Sequence, residues 1–366
     1  MTTTYPPGNP TITVGGTPRV HCPQELLAQY EAIVNDQRLS WTAHHKMLRL
    51  LGSGGQGMVY LSERRGTDSF TLPVAIKIFS PQHYNDGRAY DEDMARIAHI
   101  AARVAQIQHD NLLDVHNFIE RARIRIMEME WIDGFDLREL LTQQMLDRAR
   151  EKASTERWDY LNNVIVTAGP LQPRLKPGIA IQVLRECLAG LAALHREKIV
   201  HGDLKPSNIM LKRTGNAKII DIGSAIDLVN APTRRMCSPA YAAPEILEGG
   251  EASPRSDLCS LGYVLIEMLA GRPPFAGLTN YQELLEAKRL LAQRLPKMLP
   301  ADVVCNQILL NLCRGMIAPD PGRRFQSAEA VDMDREGAAG FHRQLVKGDM
   351  ASEYENDIRV WLEQLD

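Results

Sequence analysis

Two neighbouring segments in the middle of the chain constrain the fold most. Residues 201–208 read HGDLKPSN, and residues 219–223 read IIDIG. By themselves, Asp203 and Asn208 could be turn-forming residues and Asp221 could cap a loop. A glycine-rich segment and a lysine-bearing strand precede them in a compatible order, and this ordered set favours one shared site over a series of isolated turns.

The upstream part of the set is a glycine-rich segment followed by an apolar strand. Residues 52–60 read GSGGQGMVY, and Gly52, Gly54 and Gly57 leave room for backbone N–H groups to close over phosphate oxygens. Alone, this is a weak signal because glycine-rich hairpins are common. Residues 74–77 then read VAIK, which places the ammonium group of Lys77 where it could contact the same phosphates.

These residue types fit phosphoryl transfer, a reaction that depends on positioning and charge more than on covalent chemistry. A carboxylate and an amide can hold Mg²⁺, and a second carboxylate can orient the attacking hydroxyl group. Asp221 and Asn208 are the predicted metal ligands, and Asp203 is the predicted base. Lys205 can neutralise charge that develops on the phosphoryl group. With Lys77, these residues form the predicted catalytic set.

The ordered motifs resemble those of eukaryotic-type (Hanks-type) protein serine/threonine kinases across residues 46–335. Residues 238–245 (SPAYAAPE) resemble the end of the activation segment, residues 256–262 (SDLCSLG) the start of a buried central helix, and residues 320–325 (DPGRRF) a late arginine motif. The resemblance implies an α+β, bilobal protein kinase fold with a small β-rich N-lobe and a larger, mainly α-helical C-lobe. It also implies a structural ion pair between Glu245 and Arg324.

The same resemblance implies that ATP and Mg²⁺ are the cofactors and that the purine binds beside the connector between the lobes. Residues 129–134 (MEWIDG) resemble this connector, with Met129 as the gatekeeper. Backbone groups of Glu130 and Ile132 would hydrogen-bond the purine edge, and Asp136 lies where the family often contacts ribose. The side chains implied to cover the faces of the purine are apolar: Leu51, Val59, Ala75 and Met210. Such residues would equally serve as core packing.

The residues around Lys205 resemble the branch of the family that acts on serine and threonine, so the predicted partners are protein substrates that carry these hydroxyl groups. Tyrosine specificity is the less favoured interpretation. Residues 201–203 (HGD) also resemble small-molecule kinases of the antibiotic-phosphotransferase type, but Lys205 and residues 243–245 (APE) weigh against that alternative.

Three positions depart from the family pattern. Ile222 replaces a phenylalanine, which is an apolar exchange. Gly202 replaces the arginine that in many relatives binds a phosphorylated activation loop, so a phosphate on Thr233 would lose a bidentate partner. The third departure is a missing acid. A glutamate on the small-lobe helix should pair with Lys77, but residues 95–106 (ARIAHIAARVAQ) contain no acidic residue.

The missing acid leaves several alternatives open. The helix is shifted so that Asp91, Glu92 or Asp93 reaches Lys77, or Lys77 pairs with Asp221 or the nucleotide, or phosphoryl transfer is slow or absent. The last alternative gives a competing function, that of a pseudokinase or nucleotide-binding interaction module. A labelled-ATP assay would discriminate between an active enzyme and such a module.

The chain is predicted to contain a kinase domain flanked by extensions. Residues 1–22 are expected to be a disordered leader because they are rich in proline and glycine with a single charge at Arg19. The other predicted units are a helical extension at 23–40, a kinase domain at 41–335 (N-lobe 41–129, C-lobe 133–335, with a solvated helical insertion at about 143–176) and a helical tail at 336–366. The tail is expected to pack on the C-lobe; the less favoured alternative is that the insertion or the tail docks another protein.

Composition excludes several other functions. A net charge of −3 and a pI near 6.4 provide no basic field for nucleic acid, and the apolar runs are too short to suggest a membrane-spanning helix. Six cysteines are too few for a disulfide scaffold, and the N-terminus lacks the features of a signal peptide. The predicted localisation is therefore cytoplasmic, without nucleic-acid or membrane partners.

Overall fold

The computed structural model describes residues 12–14, 23–36, 38–40, 44–66, 68–232, 235–335, 337–347 and 354–365. A β-rich small lobe precedes a helical large lobe, which confirms the predicted bilobal α+β kinase fold. The sheet of the small lobe has six antiparallel strands, in the spatial order Arg38–Ser40, His44–Gly54, Gly57–Arg65, Thr71–Phe79, Ile124–Glu130 and Val115–Arg121.

The strand that carries Lys77 is central because its second half is apolar and β-branched. In Thr71–Phe79, Val74 to Phe79 are buried, and Ile76 and Ile78 have no exposed surface. The helix Gly87–Val104 covers the sheet and begins at Asp86, whose side chain accepts a hydrogen bond from the Ala89 N–H. The apolar residues that this helix buries recur at helical spacing: Tyr90, Met94, Ile97, Ile100, Ala101 and Val104.

The large lobe is built around the helix Pro254–Ala270, which is buried from Ser256 to Ala270. A second core helix, Pro177–Arg196, has the length and hydropathy of a membrane-spanning helix, but 72% of its apolar window is buried within the lobe. Other helices that the structure describes in the large lobe are Leu137–Leu140, Gln143–Lys152, Thr155–Tyr160, Pro244–Leu247, Tyr281–Met298, Ala301–Val304, Gln307–Met316 and Ala328–Met333. Short strands Gly134–Asp136, Ile209–Lys212 and Ala217–Ile219 form a small sheet beneath the cleft.

The predicted helical extension at 23–40 is wrong beyond Asn35. The helix covers Gln24–Asn35, and Arg38–Ser40 is a strand at the edge of the small-lobe sheet. The strand Arg38–Ser40 pairs with His44–Lys46. The edge of the sheet offers unpaired backbone N–H and C=O groups, and pairing with them replaces the last turn of the predicted helix.

The expectation of disorder throughout residues 1–22 is wrong at one place. Ile12–Val14 forms a strand that pairs antiparallel with Arg235–Cys237, with Ile12 opposite Cys237. The rest of this predicted leader lies outside the described residues.

The insertion and the tail pack within the large lobe. Gln143–Lys152 buries Met145, Leu146 and Ala149, so the predicted solvated insertion has an apolar face against the protein. The described part of the tail forms the helices Ala338–Lys347 and Tyr354–Leu362, and the hydroxyl group of Tyr160 in the insertion donates to Asp357 in the tail. Burial of Ile358 and Trp361, among others, agrees with the prediction that the tail packs on the large lobe.

Candidate active site

The predicted base lies in a tight polar cluster at the cleft. The side chain of Asp203 accepts hydrogen bonds from Lys205 Nζ at 2.7 Å and from the backbone N–H of Ser238 at 2.8 Å, and Asn208 Nδ2 lies 3.5 Å from its Oδ2. Asn208 Nδ2 donates to the Asp203 carbonyl oxygen at 2.8 Å. The structure therefore brings together Asp203, Lys205 and Asn208, and adds the end of the activation segment through Ser238.

The loop that carries Asp203 is fixed from beneath by the central helix. The carboxylate of Asp257 accepts from the backbone N–H groups of His201 at 2.8 Å and Gly202 at 2.9 Å. Gly202 has a φ of +78°, and a Cβ atom at this position would lie 2.8 Å from the Ser224 carbonyl oxygen. Glycine is favoured here by the backbone itself, since an arginine would be strained in this conformation.

The predicted metal ligands have the right chemistry for a hard cation. Asp221 Oδ1 accepts from Lys77 Nζ at 2.5 Å and from the Gly223 N–H at 3.1 Å. Burial acts to raise the pKa of Asp221, but the nearby Lys77 ammonium group outweighs it and lowers the pKa to about 2. The Asn208 Nδ2 group is a donor, so the amide oxygen of Asn208 is the atom that could contact a cation. An ionised carboxylate and an amide oxygen suit Mg²⁺.

Lys77 pairs with Asp221, one of the alternatives left open by the sequence. Its second partner is Gln56, whose Oε1 lies 2.7 Å from Nζ. Gln56 belongs to the glycine-rich loop and was not among the predicted site residues. The sequence feature that could have indicated its role is a polar side chain at the tip of that loop. The three upstream acids form ion pairs with other side chains, Asp91 with Arg123 and Arg125, Glu92 with Arg88, and Asp93 with Arg96.

The glycine-rich loop has room above it for a ligand. A Cβ atom built at Gly52 or Gly54 would meet no other atom within 4 Å. Gly57 differs, because its φ is +138° and a Cβ atom would lie 1.9 Å from the Ile78 carbonyl oxygen. Gly57 therefore holds the hairpin against the neighbouring strand, while the open positions at Gly52 and Gly54 are where phosphate groups could approach.

The predicted purine contacts come from both lobes. Ala75 and Met129 are paired across adjacent strands, and Ile132 follows in the connector; all three are at most 7% exposed. Leu51, on the strand leading into the glycine-rich loop, is 38% exposed, and Val59 is partly buried. The backbone N–H of Glu130 donates to the Asp114 carbonyl oxygen, so the carbonyl group of Glu130 is the one that could contact a purine.

Met210 and Asp136 are opposite each other in the small sheet below the cleft. The carboxylate of Asp136 accepts from the Glu139 N–H at 2.8 Å and caps the helix Leu137–Leu140. Burial raises the pKa of Asp136. This side chain therefore has a capping function in addition to its predicted place near the ribose.

Comparison with known proteins gives consistent matches. Residues 45–334 match the family model described as "Protein kinase domain". The serine/threonine-protein kinase PrkC of Bacillus subtilis is 29% identical over 300 residues, which are 80% of this chain and 40% of that protein. The serine/threonine-protein kinase PknL of Mycobacterium tuberculosis is 31% identical over 62% of this chain and 49% of that protein. The serine/threonine-protein kinase PknD of the same organism is 30% identical over 78% of this chain and 38% of that protein. The chain thus spans less than half the length of these relatives.

Proposed function

Because the chain belongs to the protein kinase family, we propose that it is an ATP-dependent protein serine/threonine kinase. The relatives described above all carry the name serine/threonine-protein kinase. The single observation that carries the proposal is the cluster in which Lys205 and the Ser238 N–H both contact the Asp203 carboxylate. This arrangement leaves a carboxylate at the end of the activation segment, where a substrate hydroxyl group would be oriented.

Each polar side chain then has a defined role. Asp203 orients the serine or threonine hydroxyl group and accepts its proton, while Lys205 offsets negative charge on the transferred phosphoryl group. Asp221 and Asn208 would hold Mg²⁺, which when bound neutralises charge on the phosphate oxygens. Lys77, which lies beside Asp221, would contact the phosphates. The hydroxyl oxygen forms the new bond to the γ-phosphorus, and ADP leaves.

The purine would bind between the lobes. Leu51, Val59 and Ala75 would cover one face and Met210 the other, with Met129 at the back. The Glu130 carbonyl group and the Ile132 N–H would bind the purine edge. Asp136 lies next to Met210 and would mark the ribose end of the pocket. Gly52, Gly54 and Gly57 would cover the phosphates.

Phosphoamino-acid analysis tests the proposed specificity. The protein is incubated with Mg²⁺, γ-labelled ATP and a generic basic protein, and the labelled product is hydrolysed with acid. Label on phosphoserine or phosphothreonine is the expected result. Label confined to phosphotyrosine, or to a small-molecule acceptor supplied in a parallel reaction, would refute it. Transfer no faster than in the Asp221→Ala variant would favour the pseudokinase alternative.

Two hydroxyl residues of the activation segment are expected to behave differently. Ser238 Oγ accepts from Lys205 Nζ at 3.0 Å. Thr233 lies outside the described residues, and Gly202 stands where many relatives have the arginine that would bind a phosphate on it. Hydrogen bonds to charged groups contribute about 1.5–3 kcal/mol, so Ser238→Ala is expected to lower kcat roughly 10- to 100-fold. Thr233→Ala should retain most activity.

The comparison uses phosphatase-treated proteins and one peptide substrate, so that prior phosphorylation does not contribute. An inactive Thr233→Ala variant beside a normal Ser238→Ala variant would show instead that a phosphorylation switch operates without the arginine.

A further inference from the structure

We propose that Arg96 is the positioning residue through which the helix Gly87–Val104 holds the metal-binding turn, in place of the missing helix acid. The proposal rests on the proposed kinase function and concerns how the same site is assembled. The resemblance implies a carboxylate that reaches Lys77 from this helix. In this chain the helix instead presents a cation that reaches the backbone immediately after Asp221.

The contacts of Arg96 define the coupling. Its Nη1 donates to the Ala225 carbonyl oxygen at 2.6 Å, and its Nη2 lies 3.4 Å from the Gly223 carbonyl oxygen. On its other side, Nε donates to Asp93 Oδ1 at 2.7 Å, and the Tyr84 hydroxyl group donates to Asp93 Oδ2 at 2.6 Å. The side chain is 20% exposed. Asp93 therefore orients the guanidinium group toward the turn before any ligand binds.

The turn that Arg96 holds is connected directly to the phosphate site. Residues Ile222–Ser224 form a single helical turn, and the Gly223 N–H donates to Asp221 Oδ1 at 3.1 Å. At the far end of the turn, Ser224 Oγ accepts from Gln56 Nε2 at 2.9 Å. Gln56 in turn accepts from Lys77 Nζ, which contacts Asp221. Helix, turn, glycine-rich loop and lysine thus form one closed network.

The planar guanidinium group of an arginine suits this position better than a carboxylate or an ammonium group. Two backbone carbonyl oxygens require donors that diverge from a rigid plane, which a guanidinium group supplies and a carboxylate cannot. A lysine would have to contact the two carbonyl oxygens and Asp93 with one compact ammonium group, which lacks the planar spread of the guanidinium donors. Lys77 contacts Asp221 and Gln56 and has no acidic partner on the helix, all of which the structure describes. A movement of the helix therefore reaches Asp221 through Arg96 and the backbone of residues 222–225. Loss of Arg96 should therefore weaken the response to Mg²⁺ more than the binding of metal-free nucleotide.

The test compares Arg96→Ala with Arg88→Ala, a matched control on the same helix whose side chain is 87% exposed. Thermal melts with ADP are recorded across a Mg²⁺ titration, and binding of ADP is measured in EDTA. We expect Arg96→Ala to raise the Mg²⁺ concentration for half-maximal stabilisation roughly tenfold, with binding of metal-free ADP unchanged. The phosphorylation rate should fall about 10- to 100-fold, as for other hydrogen bonds to charged groups.

Rescue separates positioning from general structural damage. Guanidinium chloride at low millimolar concentration should restore part of the Mg²⁺ response to Arg96→Ala, while Arg96→Lys should recover little. An Arg96→Ala variant with an unaltered Mg²⁺ response overturns the proposal. So does a variant that loses metal-free ADP binding to the same extent as the Mg²⁺ response. If the parent protein transfers no phosphate, the proposed function fails, but the ADP melts still decide the role of Arg96.

Discussion

Asp203→Asn is expected to lower kcat by about 10²–10⁴-fold while leaving the binding of Mg²⁺ and ATP nearly unchanged. Asp203 is only 5% exposed and its carboxylate is held by Lys205 and the Ser238 N–H, so the orientation of the carboxylate toward a substrate is set in advance. Asparagine has nearly the same shape but cannot accept the hydroxyl proton. Initial rates at saturating ATP give the change in kcat.

A thermal melt provides the control for Asp203→Asn. A ligand that binds the folded state at 100 times its Kd stabilises it by about 2.7 kcal/mol, so the variant and the parent should show equal shifts with Mg²⁺ and ATP. Undiminished turnover would remove Asp203 from its assigned role. A low rate accompanied by a lost thermal shift would point to a damaged nucleotide site instead.

Arg324→Ala is expected to lower the free energy of unfolding by about 3–5 kcal/mol, because it leaves the Glu245 carboxylate, whose side chain is only 16% exposed, without its partner. Nη1 and Nη2 of Arg324 donate to the two carboxylate oxygens of Glu245 at 2.6 and 2.7 Å, and Nε donates to the Ala318 carbonyl oxygen at 2.7 Å. The arginine side chain has no exposed surface. The structure thus contains the ion pair that the family resemblance implies.

Denaturant titration measures this loss, and Arg323→Ala is the matched control. Arg323 is adjacent in sequence, but its side chain is 83% exposed and its ion pair with Asp320 is 3.8 Å long. Exposed substitutions usually change stability by no more than about 0.5 kcal/mol. Equal effects of the two substitutions would show that the buried pair has no special role in holding the activation segment to the large lobe.

The sequence predicted the bilobal fold and most of the residues that the cleft brings together. Asp203, Lys205 and Asn208 lie within six residues, so one turn of backbone fixes their relative positions. The strand with Lys77 was recognisable because its apolar run distinguishes a buried strand from surface. Even the departure at Gly202 has a local explanation in its positive φ.

The remaining features depend on contacts between distant parts of the chain. Gln56 and Ser224 are separated by 168 positions, and Arg96 and Gly223 by 127, so neither contact leaves a periodic or spacing signal. The strand Ile12–Val14 likewise depends on a distant segment, because it pairs with Arg235–Cys237. The end of the first helix was misplaced because pairing at a sheet edge overrode local helical spacing.

The rate of γ-phosphoryl transfer, measured beside an Asp221→Ala blank, tests most directly whether this chain is an active kinase without a helix acid. Both proteins are incubated with γ-labelled ATP, Mg²⁺ and a generic basic protein, and protein-bound label is followed over time. We predict transfer by the parent protein that requires Mg²⁺ and falls to background in Asp221→Ala. Equal labelling by the two proteins, with a thermal shift by Mg²⁺ and ATP in the parent alone, would contradict the account and identify a nucleotide-binding module instead of an enzyme.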